Sequence, residues 1–73
     1  MIYMKFDLRK YRKSNGMTQC DLAEKLGMNQ AMVSYYERNW RTVKYSTILQ
    51  IAKKLNVNLE ELFTPLEKGE VEW

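Results

Sequence analysis

Seventy-three residues, 45% of them hydrophobic, suffice for one small core and not for two, and no apolar run approaches the roughly 20 residues that a membrane span needs. A single cysteine, Cys20, and the absence of histidine exclude an internal disulfide, a Cys/His zinc site and a Cys-His catalytic pair. The net charge of +3 is unevenly spread: eleven Lys and Arg against four acids through Lys54 leave +7, while from Leu55 onward Lys68 stands against five Glu, leaving −4, so the basic part is the candidate partner surface, although a mildly basic small domain does not by itself specify nucleic acid.

Met4, Leu8 and Tyr11 follow i, i+4, i+7 spacing, which predicts a first helix with a basic outer face of Lys5, Arg9, Lys10, Arg12 and Lys13. Asn15-Gly16 is expected to end it, since both residues tolerate a left-handed backbone. Thr18 with Asp21 three residues later has the form of a capping box and starts a second helix, whose inward positions are Leu22, Ala23 and Leu26. Gly27 stops that helix, Met28 enters the core, and Asn29 caps a third helix with Val33 and Tyr36 on its apolar side. Arg38-Asn39 is read as the next stop, with Asn39 suited to a positive φ.

Ser46 or Thr47 is expected to cap a fourth helix, in which Ile48, Ile51, Ala52 and Leu55 share one face and Lys53 and Lys54 favour the C-terminal dipole. Asn56 ends it. Asn58 then caps a short fifth helix with Leu59, Leu62 and Phe63 apolar, and Pro65 prevents its continuation. With no alternating run long enough for a central strand, the reading is an all-α five-helix bundle in a domain over 1–65, followed by a short acidic tail over 66–73.

The second and third helices, joined at Gly27-Met28-Asn29, have the form of a helix-turn-helix. Ala23 is small where the two helices approach, and Leu22, Leu26, Met28, Val33 and Tyr36 hold the angle from inside. Gln30, Ala31, Ser34, Tyr35 and Arg38 then remain on the outer face of the third helix. Tyr35 and Tyr36 point about 100° apart, so only Tyr36 is assigned to the core.

Gly16-Met17-Thr18-Gln19, Leu22-Ala23, Leu26-Gly27, Val33-Ser34, Glu37 and Ile51-Ala52 with Leu55 resemble the phage repressor and Cro-type helix-turn-helix family over Leu8 to Phe63. The resemblance implies a lambda-repressor-like five-helix domain that binds operator DNA as a homodimer, usually to repress transcription. It also implies that Gln19 contacts a phosphate and braces Gln30, the glutamine at the start of the recognition helix. Gln30 can pair with adenine N6 and N7, and Asn29, Ala31, Met32, Ser34 and Tyr35 are the other base-facing candidates. Thr18, Gln19, Arg38, Asn39, Arg41, Thr42 and Lys44 are the candidates for the phosphate backbone. Arg12 and Glu37 fall where some relatives hold an internal ion pair and are read as structural. Asn39 stands where the family commonly has glycine and Val43 where it has proline; Trp40 either covers the flank of the bundle or serves DNA or a dimer contact.

Cys20 is read as an exposed bystander on the second helix. The tail Leu66 to Trp73 is either partly disordered or, through Val71 and Trp73 alternating with Glu70 and Glu72, an edge strand or partner patch. Two functions follow: a sequence-specific regulator of double-stranded DNA, and an antitoxin-like module that neutralises a partner protein through the tail and autoregulates its own operon. An enzyme is not expected, because no clustered carboxylates, Gly-rich phosphate loop or serine beside a base is present. Neither a cofactor nor a metal is expected. Met1 to Met4 are too few for the apolar part of a signal peptide, so the chain is expected in the cytoplasm.

Overall fold

A computed structural model describes residues 4–66. It holds four α-helices, α1 (Leu8–Ser14), α2 (Gln19–Leu26), α3 (Gln30–Arg38) and α4 (Tyr45–Leu55), with 3₁₀ turns at Trp40–Thr42 and Leu59–Leu62. Two short strands, β1 (Met4–Phe6) and β2 (Phe63–Pro65), pair antiparallel with Phe6 opposite Phe63. The domain is therefore mostly helical, and neither all-α nor a five-helix bundle.

Both corrections have local causes. Met4 belongs to β1 and is 46% exposed, so it is no part of the stripe that Leu8 begins. The helix starts only at Leu8 because the Asp7 carboxylate accepts from the Lys10 N–H at 3.0 Å and caps it. The same carboxylate accepts from the Thr64 hydroxyl at 3.0 Å, and the Asp7 N–H donates to the Leu62 carbonyl at 2.7 Å, which ties the start of α1 to the far end of the domain. At the other end, Leu59–Leu62 winds as a single 3₁₀ turn and passes directly into β2. One turn is all that fits between Asn58 and the strand pairing.

The remaining helix ends follow from their residues. Gly27 takes φ +67°, and the Met28 N–H closes on the Ala23 carbonyl at 3.0 Å, a Schellman-type end that turns the chain sharply into α3. Asn56 is left-handed at φ 56° and ends α4. Asn39 differs from expectation: at φ −115° it is not left-handed, and the chain continues into the Trp40–Thr42 turn while the Asn39 side-chain amide donates to the Tyr35 carbonyl. Helix α4 begins at Tyr45 after Lys44, earlier than a cap at Ser46 or Thr47 requires, and no side chain caps it.

Leu22, Ala23 and Leu26 from α2, Val33 from α3, and Ile48, Ile51 and Ala52 from α4 meet in one core with Phe6, Leu8 and Leu62. Each fully buried Leu or Ile contributes about 1.5–3 kcal/mol relative to exposure. The Phe6 and Phe63 rings, 6.0 Å apart and tilted by 53°, close the core beneath the strand pair.

A β-carbon built at Gly27 meets nothing within 4 Å, so Gly27→Ala should cost only the left-handed backbone penalty, about 1–2 kcal/mol, in a urea unfolding curve. The Asp21 carboxylate is held below its ordinary 3.8 first by the Thr18 backbone N–H and then by the Thr18 hydroxyl. Its stabilisation of α2 is therefore present above the ordinary carboxylate range and lost as pH falls through it. Asp21→Asn should accordingly flatten the decline of the thermal midpoint between about pH 5 and about pH 3.

Candidate nucleic-acid interface

Helix α3 carries the outer face. Asn29 caps it by accepting from the Met32 N–H at 2.9 Å, which leaves Gln30, Ala31 and Met32 exposed on its first turn. Val33 is fully buried against α2, and Tyr36 is half-buried against the core. Tyr35 is 48% exposed, its ring edge-on to Tyr36 and its hydroxyl 3.3 Å from that of Thr42. The two adjacent tyrosines thus divide between interior and surface as helical geometry requires.

A polar chain runs under this face from α1 to the start of α3. The Arg12 guanidinium donates to both oxygens of Glu37, at 2.7 and 3.2 Å, and to the Met17 carbonyl at 3.0 Å. The Glu37 side chain is only 4% exposed. Glu37 Oε1 also accepts from Gln19 Nε2 at 3.1 Å, and Gln19 Oε1 accepts from Gln30 Nε2 at 3.3 Å. The Arg12 pKa is raised, chiefly by its hydrogen bond to Glu37 and against the opposing effect of desolvation. Cys20 is exposed but not idle, because its thiol lies 3.2 Å from Gln30 Oε1. Only the turn that folds the start of α2 against the start of α3 creates that contact, so linear spacing does not reveal it.

The segment after α3 forms the flank. Trp40 is half-buried and packs against the core, and the Arg41 guanidinium stacks over its ring at 4.3 Å, with Lys5 Nζ at 5.7 Å. Thr42 donates to the Asn39 carbonyl at 2.9 Å, and Arg38 donates to the Ser34 carbonyl at 3.3 Å. Thr18, Arg38, Asn39, Arg41, Thr42 and Lys44 are all exposed, whereas Gln19 and Ser34 are half-buried. From Asn29 to Ser46 the one acidic residue is Glu37, and it is turned inward, so the surface of this stretch carries only positive formal charge. Lys5 joins that flank through β1, a placement that the expected helix over Met4 to Tyr11 did not foresee.

A helix held by a second helix at a tight glycine turn, with polar and apolar side chains projecting beside basic residues, defines a helix-turn-helix protein. Residues 8–62 match the family described as Helix-turn-helix, and the chain belongs to that family: it is a DNA-binding transcription regulator of the Cro/C1 type, a class whose members are not typically enzymes. The chain is 36% identical over 58 residues to control protein C.SmaI of Serratia marcescens, covering 80% of this chain and 69% of that one. It is 36% identical over 64 residues to the uncharacterized HTH-type transcriptional regulator YqaE of Bacillus subtilis (strain 168), covering 88% of this chain and 52% of that one. Antitoxin HipB of Escherichia coli (strain K12) is 33% identical over 52 residues, or 71% of this chain and 59% of HipB. This chain therefore spans little more than half the length of the last two. No solved structure gives a significant match. Among the described residues, no helix is long and apolar enough to cross a membrane.

Arg12→Met should cost about 3 kcal/mol in urea unfolding, because it leaves the Glu37 carboxylate buried and unpaired. The double change Arg12→Met with Glu37→Leu should recover most of that loss, since the isolated charge, and not the missing pair, is the costly element.

Proposed function

We propose that the chain is a sequence-specific regulator of double-stranded DNA, a repressor acting in the cytoplasm as a homodimer on a palindromic operator, with α3 in the major groove. The observation that carries the reading is the start of α3: Gln30 projects at the surface with its amide braced by Gln19, beside a stretch of surface that carries only positive charge. In this reading Gln30 pairs with adenine N6 and N7, Ala31 and Met32 meet thymine methyl groups, and Asn29, Ser34 and Tyr35 complete the base-facing set. Thr18, Gln19, Arg38, Asn39, Arg41, Thr42 and Lys44 take the phosphates and set the register without reading sequence. Dimerisation is supported by the thinness of a core this small and by Tyr45 and Leu49, both exposed one turn apart on α4.

The likeness to antitoxin HipB favours a second reading, in which the chain also neutralises a partner protein through residues 66–73. Residues 67–73 lie outside the described residues. In this case the product of a neighbouring reading frame copurifies with the full chain and is lost when 66–73 are deleted.

The regulator reading is tested with a short palindrome from the chain's own promoter. Binding should fall steeply with salt, and failure of every such duplex to bind near 100 mM salt would overturn the reading. Gln30→Ala should cost about 1–3 kcal/mol on the best operator and little on random duplex. Lys44→Ala should weaken both and flatten the salt slope by about one unit.

A further inference from the structure

Gln30 is held at both ends of its amide, and the two ends are not equivalent. We propose that Glu37 is a positioning residue for base reading: acting through Gln19, it fixes which way round the Gln30 amide faces the groove, and Cys20 closes the chain at the far end. The inference rests on the regulator reading above and adds to it a determinant of strand orientation.

A carboxylate bound by arginine has only acceptors to offer, whereas a glutamine amide has a donor end and an acceptor end. Gln19 meets Glu37 Oε1 at 3.1 Å and must present Nε2 there, because its carbonyl would set acceptor against acceptor beside a buried charge. Its Oε1 is thereby turned toward α3, where it can only accept. Gln30 must answer with Nε2, at 3.3 Å, which sends its own Oε1 to the opposite side. There the Cys20 thiol, a weak donor, supplies the complement at 3.2 Å. Each link is forced by the one before it. The origin is rigid because Arg12 grips both oxygens of Glu37 and is itself anchored to the Met17 carbonyl.

The internal bonds use one N–H and one lone pair of the Gln30 amide and leave one of each for a base edge. The donor then lies on the Gln19 side and the acceptor on the Cys20 side. Adenine presents N7, an acceptor, and N6–H₂, a donor, in an order that reverses when A·T is exchanged for T·A. An amide free to flip could accommodate either order. An amide of fixed polarity accepts one, so the hydrogen-bond chain converts an adenine contact into discrimination between the two strand orientations.

The test measures relative affinity on the best-bound duplex with each A·T pair inverted to T·A in turn, alongside affinity for random duplex. Gln30→Ala identifies its own position by abolishing the preference there, a change of about 5- to 150-fold. At that position Gln19→Ala should lower the A·T over T·A ratio by about tenfold and Cys20→Ala by about threefold, the scale of one lost hydrogen bond. Glu37→Gln, whose amide can meet either end of Gln19, should lower it by about threefold as well, and a ratio unmoved by Glu37→Gln overturns the role of Glu37. Cys20→Ser, which keeps a donor, should restore most of the ratio. Loss of a phosphate contact at Gln19 weakens both duplexes equally and leaves the ratio unmoved, so the ratio isolates orientation. In the Gln30→Ala background, neither change should alter the ratio further. A ratio unchanged in Gln19→Ala and Cys20→Ala, while Gln30→Ala still abolishes it, overturns the inference and leaves base reading by Gln30 intact. An effect of Cys20→Ala that persists without Gln30 overturns it too, because Cys20 then meets DNA directly. If Gln30→Ala abolishes no preference at any position, base reading by Gln30 falls and this inference falls with it.

Discussion

The contact between Arg12 and Glu37 joins the first helix to the third. A carboxylate with 4% of its side chain exposed is costly to hold unless nearly all of its acceptor capacity is used. Here Arg12 and Gln19 between them occupy both oxygens, and Arg12 reaches on to the loop before α2 through the Met17 carbonyl. Three elements are thus referred to one buried charge. Such a pair gives little net stability compared with an apolar substitute, but it is directional in a way that packed methyl groups are not. That direction is what reaches Gln30.

Around this anchor the domain is assembled from short pieces, none of which buries enough surface to stand alone. The angle between α2 and α3 depends on Gly27 for its turn and on Leu22, Leu26 and Val33 for its packing. The termini of the described chain are tied together as well. Asp7 caps α1 and accepts from Thr64, so the pairing of β1 with β2 and the start of the first helix form one cooperative unit. Trp40 serves the flank in a similar way, packing on the core and holding two cations near its ring.

Much of the scaffold was legible residue by residue. Thr18 with Asp21, Gly27, Asn29, Asn56 and the apolar positions of α2, α3 and α4 each state a local preference that the tertiary structure satisfies, because capping and helical periodicity act over three or four residues. The structure departs from the expected pattern where a distant partner, or a second local bond, outweighs it. Met4 has the right spacing to extend α1, yet the backbone of Met4–Phe6 finds a strand some sixty residues away in Phe63–Pro65. Asn39 could adopt a left-handed backbone, but its side chain satisfies the end of α3 directly and the chain winds on. Cys20 has no neighbour in sequence that hints at a role.

By itself, the sequence determined the order of the central helices, the limits of α2 and α3, the glycine turn between them, the inward positions of α2, α3 and α4 and the family to which the chain belongs, since all of these rest on short-range preference and on positions matched in register. The tertiary structure alone decided that the first and last described segments pair as strands, that Trp40 gathers Lys5 and Arg41, and that Glu37, Gln19, Gln30 and Cys20 form one hydrogen-bonded line. Those contacts join residues brought together only when the helices pack, and the direction of a hydrogen bond depends on which atoms meet, which no spacing along the chain specifies.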